Sequence, residues 1–391
     1  MNAAALSLAW RYVARHRTQT LLLAGALGLV LALPLALRMI VGTAESVMRN
    51  RAASTPQVIG ARGSALDLLL TALYFKRQAL PAITMRYLDT ARAARLGGAI
   101  PLYVRFHAQG APIVGTTLDY FSFRGLRIGQ GTMMARLGDC VVGAGVAQKR
   151  GLKPGGAVFS SQEQVFDIAG IYPLKMRVAG VLTANGTPDD DAVFVDLKTA
   201  WLIQGLAHGH DDVQASTDTV LKKEADNTVA NASLRLFSEV TDANIGTFHF
   251  HGDTAEHPLS AIIMLPRDAK AEAMLAGRYL KTDSPVQLIR PQDEFDTLMG
   301  TLFQVQSLAL GVLALTLTSA LAVAALVFAL SFRLRMREFE TLGDLGVSPT
   351  ALGMTKIFEI AIVGAAGALI ALLLSLLVEW NAAAWVRLLL A

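Results

Sequence analysis

The apolar positions gather in three long runs, one near the N-terminus and two in the last quarter of the chain. The first covers Leu21–Leu37, and the second covers Ser307–Leu330 within a stretch, Thr297–Phe332, that has no charged residue. The third covers Ile357–Val378 and is interrupted only by Glu359. A helix that rises about 1.5 Å per residue crosses a hydrocarbon core of about 30 Å with about 20 apolar residues. The pattern therefore predicts three transmembrane helices.

The first 17 residues follow another pattern, in which Leu6, Trp10 and Val13 recur at helical spacing and the arginines lie elsewhere. This predicts a short amphipathic helix on the membrane surface. A cleaved signal peptide is the alternative interpretation. Because the charged approach and the apolar run after it are both long for a signal peptide, we favour an uncleaved first span.

Charged residues at the ends of the spans predict their orientation. Arginines precede the first span, and the loop between the second and third spans holds Arg333, Arg335, Arg337 and Lys356. Cytoplasmic loops carry the excess of Lys and Arg, so the N-terminus and this loop are expected in the cytoplasm. The large segment between about Ile40 and Asp296 is then extracytoplasmic. We expect a bacterial inner membrane, which makes that segment periplasmic.

The large middle segment has the pattern of a mixed α/β region. Ser64–Gln78, Tyr87–Arg95 and Ala269–Tyr279 are typical of helices, and short apolar alternations between Gly-rich turns are typical of strands. Ser216–Ser233 is polar and unpatterned, which favours a linker or a solvated helix, and Asp189–Asp191 favours a solvated turn. The predicted fold class is an α+β membrane protein with three transmembrane helices and a large mixed α/β extracytoplasmic domain inserted between helices 1 and 2.

These patterns divide the chain into consecutive segments. They are an amphipathic helix at the cytoplasmic face (1–17), transmembrane helix 1 (18–42), the extracytoplasmic domain (43–296), transmembrane helix 2 (297–332), a cytoplasmic loop (333–356), transmembrane helix 3 (357–378) and an interfacial C-terminal stub (379–391).

Composition agrees with a membrane protein. The 391 residues are 53% hydrophobic and 17% charged, which is more apolar than soluble domains usually are. The net charge of +4 is explained by arginines that flank the spans, so nucleic acid is not an expected partner. The single cysteine, Cys140, excludes an intrachain disulfide and is expected to be a small buried residue.

The loop after the second span carries a motif, R-x-R-E-hydrophobic-x-x-L-x-x-L-G-small-S, followed by a helix with an early Glu. The matching residues are Arg335, Arg337, Glu338, Phe339, Leu342, Leu345, Gly346, Val347 and Ser348, with Glu359 at the later position. This segment resembles the cytoplasmic segment of the FtsX-like permeases of ABC transporters. Val141–Gly156 and the stretches LKMRVAGVL and VFVDLKTAWLIQG are similar to the periplasmic core domain of that family.

The family usually has four spans, one before the periplasmic domain and three after it. Here the segment after the third span is too short to cross a membrane. We therefore expect either a three-span variant or a fourth span that is supplied elsewhere.

The residues of the loop themselves predict a docking helix. Phe339, Leu342 and Leu345 fall on one helical stripe edged by charge, Gly346 is expected to end the helix, and Ser348-Pro349 to start the next one. Such a stripe fits a groove on a partner. The resemblance implies that this partner is a separate ABC ATPase subunit. The coupling residues are then Arg335, Arg337, Glu338, Phe339, Leu342, Leu345 and Gly346.

The resemblance also implies a function. The chain would be a permease subunit that pairs with a second copy, as a homodimer or heterodimer, and couples ATP hydrolysis to movement of its periplasmic domain. That movement would drive export or extraction of a substrate, with ATP and Mg²⁺ bound by the ATPase and a periplasmic binding protein, adaptor or lipoprotein as a further partner. One alternative is a mechanotransmitting scaffold that regulates a periplasmic partner without transport, and another is a zinc-linked transport system.

The chain shows no catalytic motif of its own. It contains no G-x-x-x-x-G-K-[ST] sequence, so ATP hydrolysis is expected on another subunit. Gly143-Ala144-Gly145 follows a strand-like run, but Gln148 stands where a dinucleotide motif needs its third glycine. Because no Ser/His/Asp or Cys/His arrangement stands out either, we predict a non-catalytic subunit.

The histidines suggest a metal site. Within HFHGD, His249 and His251 lie two residues apart, so they share one face of a strand. Neutral imidazoles with nearby carboxylates suit zinc or copper, and an exposed polar loop is the alternative interpretation. The candidate zinc ligands are His208, His210, His249, His251 and His257.

Overall fold

A computed structural model of the chain describes residues 2–161, 173–209, 220–224, 227–230, 238–280 and 283–390. It divides into two compact units, a helical unit built from Met1–Val47 and Thr297–Leu389, and an α/β unit built from Met48–Asp296. The α-helices of the described residues are α1 (Asn2–Arg15), α2 (Arg17–Ala53), α3 (Ala65–Tyr74), α4 (Met85–Ala93), α5 (Leu118–Arg124), α6 (Ala144–Arg150), α7 (Leu197–Ile203), α8 (Ala269–Arg278), α9 (Pro291–Leu334), α10 (Met336–Asp344) and α11 (Pro349–Leu390).

The helical unit contains the long apolar runs. Within the described ranges, three helical segments are long and apolar enough to cross a membrane, namely Arg17–Ala53, Leu310–Leu334 and Pro349–Asn381. They belong to α2, α9 and α11, which contain the three predicted runs. The segment 379–391, predicted as a separate stub, is helical through Leu390 as a continuation of α11.

Within this unit, α2 and α11 approach closely because glycine faces glycine. A Cβ atom added to Gly28 would lie 2.7 Å from Cγ2 of Ile370 and 2.9 Å from the carbonyl oxygen of Gly367. A Cβ atom on Gly367 would lie 3.2 Å from the carbonyl oxygen of Ala24. Small residues let helix backbones pack this tightly in an apolar surrounding, where side-chain burial gives little driving force.

The α/β unit contains short strands, many of them at the predicted apolar alternations. The described strands are β1 (Gln57–Ala61), β2 (Ile83–Thr84), β3 (Gly97–Ala108), β4 (Ala111–Thr116), β5 (Ile128–Gly131), β6 (Asp139–Val142), β7 (Ala157–Phe159), β8 (Leu174–Leu182), β9 (Val193–Asp196), β10 (Ala207–His208), β11 (Val220–Glu224), β12 (Asn227–Ala230), β13 (Ser238–Glu239), β14 (His249–Phe250), β15 (Pro258–Leu259), β16 (Ala261–Pro266) and β17 (Val286–Ile289).

One mixed sheet organises this unit. Its strand order is β13-β8-β6-β9-β4-β3-β16-β1-β17, and β5 and β7 also pair with β8. The long strand β3 joins two halves of the sheet, because Gly97–Leu102 pairs with β16 and Tyr103–Ala108 pairs with β4. The pairs β4–β9 and β6–β8 are parallel, whereas β6–β9 and β1–β16 are antiparallel.

The core lies where strands are apolar at successive positions. β1 and β6 are buried along their whole length, which is typical of strands covered on both faces. Cys140 on β6 is free and buried, as predicted, and burial raises the pKa of its thiol to about 12.

The polar segment Ser216–Ser233 differs from its prediction in the parts that the structure describes. β11 and β12 form a two-stranded antiparallel sheet that pairs Glu224 with Asn227 and Val220 with Ala230. Cross-strand backbone pairing has therefore organised residues that lack the apolar alternation from which strands are usually predicted.

Candidate functional sites

The helix α10, which the sequence predicts to be a docking helix, has a defined C-terminal end and is followed directly by the start of α11. Its C-terminus is closed by Gly346, which has φ of +90°, so that its N–H donates to Gly343 and the N–H of Val347 donates to Leu342. This is the double closure of a Schellman motif, and glycine suits it because the backbone is left-handed there. Ser348 then accepts a hydrogen bond from the N–H of Ala351 at 3.4 Å, and α11 begins at Pro349. Both helix boundaries match the sequence prediction.

Arg335 fastens α10 to its own unit. It stands between α9 and α10, and its guanidinium donates to both carboxylate oxygens of Glu359 at 3.0 and 3.1 Å and to Glu338 at 3.1 Å. The same group lies 3.4 Å from the ring centroid of Tyr12 and 4.9 Å from that of Phe339. A planar cation with a paired carboxylate and two aromatic faces holds one geometry, so α10 starts in a fixed direction.

The predicted apolar stripe is divided between two environments. Phe339 is buried at 7% exposure, where Lys356 Nζ lies 4.5 Å from its ring centroid and Phe332 contacts it edge-on. Leu342 is half-buried, whereas Leu345 is 76% exposed. The expectation that Phe339 itself enters a partner's groove needs correction, because its ring is already covered by its own chain. Arg337 and Glu338 are exposed, and Glu338 also pairs with Arg335.

Three of the five predicted histidine ligands come together. His208, His249 and His251 are exposed, and each offers a ring nitrogen within 4.8 Å of the nitrogens of the other two. β10 pairs with β14 so that His208 lies opposite His249, and the next ladder pair is Ala207 with Phe250. The ribbon therefore joins residues that are about forty positions apart in the sequence.

The other two candidates differ. His257 is buried at 4% exposure, its ring contacts Trp201 edge-on, and its Nε2 lies 3.0 Å from the carbonyl oxygen of His251. It supports the ribbon and is not among the grouped ligands. His210 lies outside the described residues.

The structure reveals a buried ion pair that the sequence did not suggest. Asp189 and Asp190, predicted in a solvated turn, are 1% and 3% exposed, so that prediction is wrong. Arg51, in the last turn of α2, donates to both carboxylate oxygens of Asp189 and, at 3.0 Å, to the hydroxyl of Tyr120. Tyr120 in turn donates to Asp189 at 2.6 Å.

The charges of this network stay in place despite burial. Burial alone would raise the pKa of the Asp189 carboxyl, but the Arg51 guanidinium and the hydrogen bonds from Arg51, Tyr120 and Thr187 hold it below its ordinary value. Burial raises the pKa of the Tyr120 hydroxyl, which therefore remains a donor. The fixed donors explain how a carboxylate tolerates an apolar surrounding.

Gly143 and Gly145 pack closely against the acidic turn that contains Asp189. A Cβ atom on Gly143 would lie 2.4 Å from the carbonyl oxygens of Asp189 and Asp190. On Gly145 it would lie 2.7 Å from Oδ1 of Asp191. The G-x-G sequence therefore makes room for the acidic turn, which is a structural reason for these glycines that needs no bound dinucleotide.

A family model described as the MacB-like periplasmic core domain matches residues 20–236, which is more than half of the chain. The chain belongs to this family. Family members are permease-type proteins of ABC transporters, so the FtsX-like resemblance is confirmed. The chain is accordingly a membrane protein with an extracellular domain.

Two solved structures are similar to part of this chain. The extracellular domain of the noncanonic ABC-type transporter YknZ from Gram-positive bacteria is similar over 60% of this chain and 99% of that chain, with 12% identity and a TM-score of 0.33. The periplasmic region of MacB from Actinobacillus actinomycetemcomitans is similar over 63% of this chain and 92% of that chain, with 12% identity and a TM-score of 0.32. These low scores add nothing to the family assignment. No curated protein matches the chain.

Proposed function

We propose that this MacB-like chain is the membrane subunit of an ABC transporter and that α10 docks on a separate ATPase. The observation that carries the proposal is the build of α10, a helix of nine residues closed by a Schellman motif and fastened at its start by Arg335. A short rigid helix between two apolar spans transmits force because it cannot yield locally.

The proposed docking face is the exposed side of α10. Arg337, Glu338 and Glu340 offer charges of both signs, and Met336 and Leu345 expose apolar side chains at the two ends. Charges of this kind select the partner and orient it, while the apolar ends supply buried area on contact. Phe339 and Leu342 lie on the other side of α10, where they hold the helix against its own unit.

ATP and Mg²⁺ bind to the ATPase, and the cycle of closure and opening there moves the spans of this chain. A second permease copy completes the unit, and the N-terminus and α10 face the cytoplasm of a bacterial inner membrane. The movement reaches the periplasmic domain and drives export or extraction of a substrate. The membrane subunit itself is non-catalytic.

Changing Leu345 to Asp tests the docking face. Leu345 is 76% exposed, so the charge costs the fold little, but it would place a carboxylate in a contact that excludes water. We expect the ABC ATPase that co-purifies with the wild-type chain from native membranes, recognised by its Walker A peptides and its Mg²⁺-ATPase activity, to fall at least about tenfold.

The matched control is Leu280→Asp, which charges a leucine that is 77% exposed in the α/β unit. It should leave ATPase recovery unchanged. If Leu345→Asp and the wild type recover equal amounts of the ATPase, α10 is not the docking element.

A further inference from the structure

The three histidines of the β10–β14 ribbon form a nearly regular triangle. Their ring centroids are 4.7 Å apart for His208 and His249, 4.6 Å for His208 and His251, and 4.6 Å for His249 and His251. Three side chains that surround one point at equal spacing match the way three ligands occupy one face of a coordination tetrahedron.

The backbone under the triangle is held on several sides. The N–H of His251 donates to the carbonyl oxygen of Leu206 at 2.9 Å, and the Nε2 of His257 donates to the carbonyl oxygen of His251 at 3.0 Å. His257 rests edge-on against Trp201, whose indole N–H donates to Pro258 at 2.9 Å. The ligand positions are therefore set by the buried core beneath them, as a preorganised site requires.

The ring nitrogens lie at distances that suit metal binding. Nδ1 of His249 is 3.4 Å from the carbonyl oxygen of Thr247, a contact that suits the tautomer with its proton on Nδ1 and a lone pair on Nε2. Nε2 of His251 and Nδ1 of His208 are 3.1 Å apart. Two nitrogens at about 2.0–2.1 Å from a tetrahedral zinc ion lie about 3.3 Å from each other.

We propose that His208, His249 and His251 bind one divalent transition-metal ion of the zinc class. Three neutral imidazoles favour such borderline ions over Ca²⁺ and Mg²⁺, which prefer oxygen ligands. All three rings are exposed, so the fourth position is open to water or to a group on a partner, and the ion can exchange. The site belongs to the α/β unit and does not depend on the docking role of α10.

The test uses the full chain in detergent, purified through an affinity tag that contains no histidine. After loading with Zn²⁺ and exhaustive dialysis, metal analysis should give about one zinc ion per chain for the wild type, and no more than about a fifth of that for His249→Ala. Co²⁺ in place of Zn²⁺ should give the visible bands of a tetrahedral ion in the wild type and not in His249→Ala.

The matched control is His107→Gln, which removes a histidine of the same unit on β3, outside the triangle. This variant should keep the zinc ion. That result would show that the loss of zinc in His249→Ala depends on which histidine is removed and not on the number of histidines. Far-UV circular dichroism establishes that each variant is folded, and His251→Gln gives a second, independent removal of a ligand. Less than about a tenth of a zinc ion on the wild type, or equal zinc on wild type and both ligand variants, would overturn the proposal.

Discussion

Two arginines at helix ends, Arg51 in the α/β unit and Arg335 in the helical unit, each pair with a buried carboxylate, but the other partners of the two arginines differ. Arg51 lies in the last turn of α2, and each of its partners is buried, namely the Asp189 carboxylate, the Tyr120 hydroxyl and the carbonyl oxygen of Leu73. Arg335 stands just after α9 and pairs with the buried Glu359, but its second carboxylate, Glu338, is 65% exposed.

The two arginines differ in whether water can replace a lost partner. A network in which every partner is buried gives no alternative when one member is lost, because water cannot replace it. At Arg335 water reaches one carboxylate, and aromatic faces supply part of the attraction. We therefore infer that Arg51 mainly maintains the fold of its unit and Arg335 mainly sets the direction of α10.

The largest effect is expected for Arg51→Met. It leaves Asp189 charged and buried without its cation, which costs about 3–5 kcal/mol of unfolding free energy. Thermal unfolding of the full chain in detergent should shift downward, by about 2–4 °C for each kcal/mol in a unit of this size. Hydrogen exchange of the backbone amides should become faster in β9 and α5, next to the disrupted ion pair.

A double variant sharpens this result. Arg51→Met with Asp189→Leu removes both charges and keeps an apolar filling, so most of the stability should return. If Arg51→Met alone unfolds at the wild-type temperature, the ion pair does not anchor this unit.

A smaller effect is expected for Arg335→Met. Glu359 loses its partner, but the site lies near water, and we expect a cost of about 1–3 kcal/mol. Hydrogen exchange should rise in α10 while β9 is unchanged. A loss of protection in both places would erase the distinction between the two arginines.

The response to acid should also distinguish the two. The folded-state pKa of Asp189 lies below its ordinary value of 3.8, so the ion pair contributes stability that is present above that value and is lost as the pH falls through the folded-state pKa. Unfolding of the wild type in denaturant should therefore become easier at low pH. The Arg51→Met/Asp189→Leu variant should show a flatter pH profile, and an identical profile would contradict the assignment.

The smallest effect is expected at Arg49, close to Arg51 in the chain. Arg49 pairs with Asp296 at 2.8 Å, but their side chains are 41% and 46% exposed. Such pairs contribute about 0–1 kcal/mol, so Arg49→Gln should leave the unfolding temperature nearly unchanged. If Arg49→Gln lowers the unfolding temperature as much as Arg51→Met does, position along the helix, and not burial, determines how much such an ion pair contributes to stability.

The sequence by itself determined the features that depend on local pattern. The three apolar runs, the end of α10 at Gly346, the start of α11 after Ser348, and the strand at Cys140 follow from composition, turn chemistry and β preference over a few residues. The family was recognisable for the same reason, because the motif from Arg335 to Ser348 is contiguous in the sequence.

Only the tertiary structure decided which distant residues meet. Asp189 looked like part of a solvated turn because three adjacent carboxylates normally need water, and its burial depends on an arginine 138 positions earlier. Likewise His208 reaches His249 and His251 through the β10–β14 register, and Phe339 turns inward because Phe332 and Lys356 cover it. Burial and long-range pairing are properties of the folded chain, so no local pattern could have shown them.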